Sequence, residues 1–164
     1  MSNNALDVIK SNDRKHELIQ LVSFTLEKEE YGVEVLKVRE IIRMPAITHM
    51  PNSPHYVEGI INLRGKVIPI VSLRKRFGMM EAEYSNQTRI MVMDLDGELM
   101  GFIVDSVSEV IRIDGSEVQP PPAVSSGGVD QECIAGVINH AESLLVLLDL
   151  NSMFSHEEKQ LFAV

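Results

Sequence analysis

A chain of 164 residues that is 45% apolar can bury a substantial core, as one domain or two small packed lobes, and disorder is not expected. Aromatics are 5% and Trp is absent, so the core must come from Val, Ile, Leu and Met, which suits an all-β or mostly β fold. A net charge of −9 leaves few clustered cations for phosphate-backbone binding, which excludes nucleic acid as a partner; no run approaches the ~18 apolar residues of a membrane span, and a cytoplasmic protein is expected.

Residues 1–15 read as a polar N-terminal tail, too acidic and polar for a signal peptide. From Leu18 to Leu26 apolar and polar residues alternate as in a strand, and Tyr31, Val33 and Val35 alternate with Gly32 and Glu34 in a second, with Glu27 to Glu30 as the turn. Gly59 to Asn62 and Lys66 to Val71 form a hairpin through Leu63-Arg64-Gly65. Ser72 then caps a short helix, Leu73 to Phe77. Ile90 to Asp94 and Leu99 to Val104 are joined by Leu95-Asp96-Gly97-Glu98, where Asp-Gly supplies the positive φ of a tight hairpin. The stretch holding Gln119-Pro120-Pro121-Pro122 and Ser125-Ser126-Gly127-Gly128 reads as an excursion loop, and Asp149 caps a C-terminal helix from Leu150 to about Phe162.

The chain repeats itself. Shifting Phe24 to Arg43 by 69 places brings Leu26, Glu29, Gly32, Val35, Val38, Glu40, Ile42 and Arg43 onto Leu95, Glu98, Gly101, Val104, Val107, Glu109, Ile111 and Arg112. These are 8 identities in 20 positions, against roughly one expected by composition. At a shift of 77, Gly59, Ile61, Asn62, Leu73 and Phe77 fall on Gly136, Ile138, Asn139, Leu150 and Phe154. The extra residues of the second half must lie between Arg112 and Gly136, where the excursion loop is. Two lobes of like plan follow, at about 18–80 and about 86–154, as two small barrels side by side or a single β-sandwich.

Catalytic chemistry is missing from the pattern. His16, His49, His55, His140 and His156 are scattered without metal-site spacing, neither a Gly-x-Gly-x-x-Gly nor a P-loop occurs, and no nucleophile elbow is present, so no metal, cofactor or enzymatic activity is expected. Cys133 sits in an apolar run as a small buried residue, and the methionines read as core filling. Such a protein works by binding.

A duplicated scaffold separates what the fold needs from what one half needs for a task of its own. Asn62-Leu63-Arg64-Gly65-Lys66 stands against Asn139-His140-Ala141-Glu142-Ser143, so Arg64 is not required to make the hairpin. With Lys66, Arg74, Lys75 and Arg76 it suggests a positive face for an acidic partner. The apolar residues of Val35-x-x-Val38-x-Glu40-Ile41 and of its copy Val104-x-x-Val107-x-Glu109-Val110 exceed one face's needs and could line a seam between lobes that suits a partner helix.

The run Glu30 to Ile41, the segment Val57 to Gly65 with its Asn-Leu-Arg-Gly, the following Val67-Ile68-Pro69-Ile70-Val71, and Gly101 to Val107 closely resemble the CheW coupling proteins of bacterial chemotaxis over about residues 16–155. The resemblance implies two packed five-stranded SH3-like barrels in a single CheW-like domain. It further implies an adaptor, not an enzyme, joining the histidine kinase CheA to the cytoplasmic tips of methyl-accepting chemotaxis receptors, in the cytoplasm and recruited to membrane-associated receptor arrays. Carried over by motif, Val38, Glu40, Arg64 and Val110 fall at receptor or kinase contacts, with Val35 and Ile41 beside them. A stand-alone CheW-like binding module of another signalling assembly is the alternative.

Overall fold

The computed structural model describes residues 17–122 and 133–154. The polar tail, most of the Pro-rich and Gly-rich loop and everything after Phe154 lie outside the described residues. Ten strands follow in order: β1 (Leu18–Leu26), β2 (Glu29–Glu34), β3 (Val38–Arg43), β4 (Val57–Leu63), β5 (Lys66–Ser72), β6 (Arg89–Leu95), β7 (Glu98–Val104), β8 (Ser106–Asp114), β9 (Ile134–His140) and β10 (Ser143–Leu148). The expected β fold is what the chain adopts, in two five-stranded sheets.

One sheet runs β8-β1-β2-β10-β9 and the other β3-β6-β7-β5-β4. Replacing each strand by its repeat mate, β1 by β6 through β5 by β10, turns the first order into the second. The register obeys the same exchange: Gly32 pairs with Leu147 and Gly101 with Ile70, whose shift is again 77. Yet the lobes are not the contiguous halves 18–80 and 86–154. Each sheet takes the first hairpin of one half and the last three strands of the other, so the halves interlock. The physical reason is the parallel pairing of β2 with β10 and of β5 with β7, which a local hairpin cannot supply. A glycine stands at each parallel junction and lets side chains close over it: a Cβ on Gly32 would lie 2.9 Å from the Leu145 side chain and one on Gly101 would lie 2.6 Å from Ile70, so those side chains would have to shift.

Isolated bridges join the ends of each strand order. Thr48 and Ile60 exchange two backbone hydrogen bonds of 2.9 Å, and Gln119 and Val137 do the same at 2.9 and 2.8 Å. Inside one barrel pack Leu21, Ile111, Ile113, Ile138, Leu145 and Leu147, and inside the other Ile61, Ile68, Ile70, Ile90, Val92 and Ile103. The largest core lies between the barrels and holds Phe24, Tyr31, Tyr56, Phe77, Phe102 and Phe154. Six of the chain's eight Phe and Tyr residues thus sit on the seam, where two convex surfaces leave the most space to fill.

Strands β3 and β8 escape a periodicity search because each carries a bulge. Val38 pairs with Met93 but Glu40 with Val92, and Val107 pairs with Phe24 but Glu109 with Ser23. One residue is skipped, and alternation breaks there. The turns are also tighter than expected: Leu26 pairs with Glu29, leaving Glu27-Lys28, and Leu63 pairs with Lys66, leaving Arg64-Gly65. Ser72 accepts from the Lys75 amide at 3.3 Å, capping α1 (Leu73–Arg76), and Asp149 accepts from the Asn151 amide at 3.1 Å. Asp149 opens a 3-10 turn, Leu150–Met153, in place of the first turn of the long α-helix expected from Leu150; the rest of that span lies outside the described residues.

Candidate functional site

The bulge in β3 decides which way its side chains point. Val38, with Val35 from the 3-10 turn Val35–Lys37, packs half-buried on the seam core, whereas Ile42, two residues past Glu40, packs with the core inside the barrel. In a regular strand without the bulge, Val38 and Glu40 would share a face. Glu40 instead sits at the barrel rim, opposite the β4–β5 turn.

That turn holds Arg64 at φ 50° and Gly65 at φ 86°, the left-handed pair of a two-residue hairpin, and the Gly65 amide donates to Asn62 Oδ1 at 2.9 Å. Arg64 thereby faces Glu40: its Nη1 donates to Oε1 at 3.3 Å and its Nη2 to Oε2. The bidentate pair holds the Glu40 carboxyl below its ordinary 4.5 and raises Arg64, in both cases mainly through the hydrogen bond. Since β3 and β4 are the two ends of the strand order, the pair bridges the barrel's open rim. Arg64 remains 71% exposed, so its outer edge is available to a partner.

The other barrel has its own version. Glu109, repeat mate of Glu40, meets His140 Nε2 at 3.2 Å across β8 and β9. The halves therefore differ in the chemistry of the bridge, a fixed guanidinium against an imidazole, and not in its presence.

Of the remaining expected residues, Ile41 is 39% and Val110 56% exposed. They are repeat mates on β3 and β8, hence on different sheets. Val35, Val38, Glu40, Ile41 and Arg64 gather around β3 and the rim it shares with the β4–β5 turn, while Val110 lies on the opposite barrel.

The positive face expected from Arg64, Lys66, Arg74, Lys75 and Arg76 does not form. Arg74 Nε donates to Asp105 Oδ1 at 2.8 Å, and its Nη1 donates to the Met80 carbonyl at 2.8 Å. Lys75 pairs with Glu58 at 2.7 Å and Glu81 at 2.8 Å. Arg76 donates to the Met153 carbonyl at 2.8 Å and lies over the rings of Tyr56 and Phe154. Acids pair with Arg74 and Lys75, and a carbonyl and two rings engage Arg76, so a run that looks basic in one dimension is turned to internal contacts.

Two cavities were not foreseen. One, about 660 Å³, is lined by Glu58, Ser72, Arg74, Ile103 and Ser106. The other, about 260 Å³, is lined by their repeat mates Ala135, Asp149, Asn151, Glu34 and Lys37, in the same order. They are counterparts under the internal symmetry. Among the described residues no group of three or more His, Cys, Asp or Glu could hold a metal, and no helix is long and apolar enough to cross a membrane.

The CheW-like domain model matches residues 20–158. The chain belongs to the CheW-like family. It is 36% identical over 151 residues to the chemotaxis protein CheW of Treponema pallidum, covering 90% of this chain and 88% of that one. It is 32% identical over 142 residues to the CheW of Klebsiella aerogenes, covering 87% and 85%. The crystal structure of the scaffolding protein TtCheW from Thermoanaerobacter tengcongensis superposes with a TM-score of 0.79 at 35% identity, over 87% of this chain and 91% of that one. CheW-like membership thus rests on sequence and on fold.

Proposed function

We propose that this CheW-like protein is a non-enzymatic adaptor that couples methyl-accepting chemotaxis receptors to the histidine kinase CheA, from the cytoplasm, at membrane-associated receptor arrays. The observation that carries the reading is the bidentate Glu40–Arg64 pair at a barrel rim, exposed on its arginine side and bordered by apolar Val35, Val38 and Ile41. An oriented arginine amid apolar side chains has the composition of a protein-binding hot spot. Val110, the exposed mate of Ile41, gives the second barrel an apolar contact of its own. Relatives named as chemotaxis and scaffolding proteins support the same reading.

The test is reconstitution. Purified protein is titrated into a CheA kinase and a receptor cytoplasmic fragment, separately and together, and ternary complex is followed by sedimentation. The reading predicts binding to each partner alone and a ternary complex that needs this chain. Binding to neither overturns it and favours a CheW-like module of another signalling assembly.

A further inference from the structure

Beyond Glu40 the register of β3 is regular: Ile41 stands opposite Met91, Ile42 opposite Ile90 and Arg43 opposite Arg89. Ile42 packs with the core inside the barrel, so Ile41 and Arg43 point to the outer face. Two arginines therefore face each other across adjacent strands, with Cβ atoms about 4.5–5.5 Å apart, an arrangement that costs stability. The other barrel avoids it. There Arg112, mate of Arg43, stands opposite Gln20, mate of Arg89. The fold thus accepts glutamine at this point, and the second arginine belongs to the first barrel alone.

The molecule does not answer this charge from within. Arg39 is held by Asp94 at 3.1 Å and Arg64 by Glu40, whereas Arg43 is exposed and makes no hydrogen bond or ion pair among the described residues. Arg89 donates from Nη1 to the Asn86 and Thr88 carbonyls at 2.8 and 2.9 Å. These carbonyls fix its guanidinium without neutralising the charge, and leave Nε and Nη2 unspent. In a chain of net charge −9, two unanswered cations beside the exposed Ile41 mark a contact.

We infer that Arg43 and Arg89 form a carboxylate-binding subsite for an Asp or Glu side chain of the protein partner that covers Ile41. The inference rests on the adaptor reading above and states the chemistry that the partner must bring to the outer face of β3 and β6. A guanidinium fork suits a planar carboxylate, which accepts two parallel hydrogen bonds from it. Ile41 and Arg43 are two residues apart on a strand, so the partner presents an apolar side chain and an acid about 7 Å apart. An anionic membrane fits less well, because a net charge of −9 opposes it and two arginines make a point contact and not a basic field. The repulsion between the arginines is relieved when the carboxylate arrives, so binding recovers a cost that folding incurs.

Arg43→Gln, Arg43→Lys, Arg89→Gln and the Arg43→Gln/Arg89→Gln double variant test it. Affinity for CheA and for a receptor cytoplasmic fragment is measured separately by calorimetry at about 50 and about 300 mM salt, with melting temperature alongside. For at least one partner, Arg43→Gln should bind about tenfold more weakly or worse at low salt, Arg43→Lys should fall between it and wild type, and the double variant should lose most of the salt dependence. Melting temperatures should stay within about 2 °C of wild type or rise, since the repulsion is gone. A purely structural arginine would give the opposite, a lower melting temperature with affinity intact. Wild-type protein that binds neither partner overturns the adaptor reading and the subsite with it. If the wild type binds and every variant matches it, the subsite is wrong while the adaptor reading stands. Loss of affinity that keeps the wild-type salt dependence, or that tracks a fall of more than about 5 °C in melting temperature, also overturns the subsite. So does Arg43-dependent sedimentation with vesicles of phosphatidylcholine and phosphatidylserine, which would make the occupant a lipid, or an Arg43-dependent dimer in sedimentation velocity, which would make it a second copy.

Discussion

Arg64 offers the sharpest separation between folding and binding. It occupies the first position of a two-residue turn with φ 50°, and Ala141 occupies the corresponding position of the other barrel at φ 50°. Alanine therefore fits this backbone, and Arg64→Ala removes the side chain and its pair with Glu40 without reshaping the hairpin. Arg64→Asn goes further, because it creates Asn-Gly, the favoured pair for such turns. Both variants should melt within about 2 °C of wild type, Arg64→Asn at the upper end. Binding should behave differently. Truncating an arginine hot spot weakens a complex by about thirtyfold or more, and both variants should lose that much affinity for the partner that contacts the rim. Glu40→Ala should reproduce part of the loss by releasing Arg64 from its orientation, and the double variant should lose less than the two losses combined. Calorimetric titration against CheA and receptor fragments, with thermal melts of each variant, measures both sides. Arg64→Asn lowering the melting temperature by more than about 5 °C would make Arg64 structural; unchanged affinity for both partners would remove it from the site.

Gly59 and Gly136 are repeat mates with unequal constraints. A Cβ on Gly59 would sit 2.1 Å from the Thr48 carbonyl oxygen at φ 151°, whereas one on Gly136 would meet the Val118 side chain at 2.4 Å without a left-handed φ. Gly59→Ala should lower the melting temperature by about 5 °C or more and Gly136→Ala by less, as thermal melts would record. Because each sheet draws on both halves, residues 1–78 and 79–164 expressed apart should lack cooperative melts by circular dichroism and regain one on mixing; a folded single half would refute the interlocked topology. The Glu40 and Asp94 carboxyls both lie below their ordinary values, Glu40 through Arg64 and Asp94 mainly through the Gly97 amide and then Arg39. Groups lowered in the folded state stabilise it above their unfolded values and cease to do so as pH falls through the folded ones. The melting temperature should thus vary little with these groups from pH 8 to about 5 and decline below about 4, with Asp94→Asn flattening part of that decline.

How much of this was legible in the chain can be traced residue by residue. Ungapped matches at shifts of 69 and 77 named the pairs that become symmetry mates in space, from Gly32 and Gly101 to the hairpin tips Arg64 and Ala141. Local chemistry determined the rest of what could be read: Asp96-Gly97 makes its turn, and Ser72 and Asp149 cap because a side-chain oxygen reaches a free amide nearby. Only the tertiary structure decided which hairpin enters which sheet, since a repeat says that two units are alike and is silent on whether they stand apart or interlock. It also decided the fate of charge. Arg74, Lys75 and Arg76 lie together in sequence yet are answered by Asp105, Glu58, Glu81 and Met153, residues brought in by the fold from up to 77 positions away. Alternation along a chain reports a side chain's own polarity. What stands opposite it, as Glu40 stands opposite Arg64, is a property of two elements at once and emerges only when they are brought together.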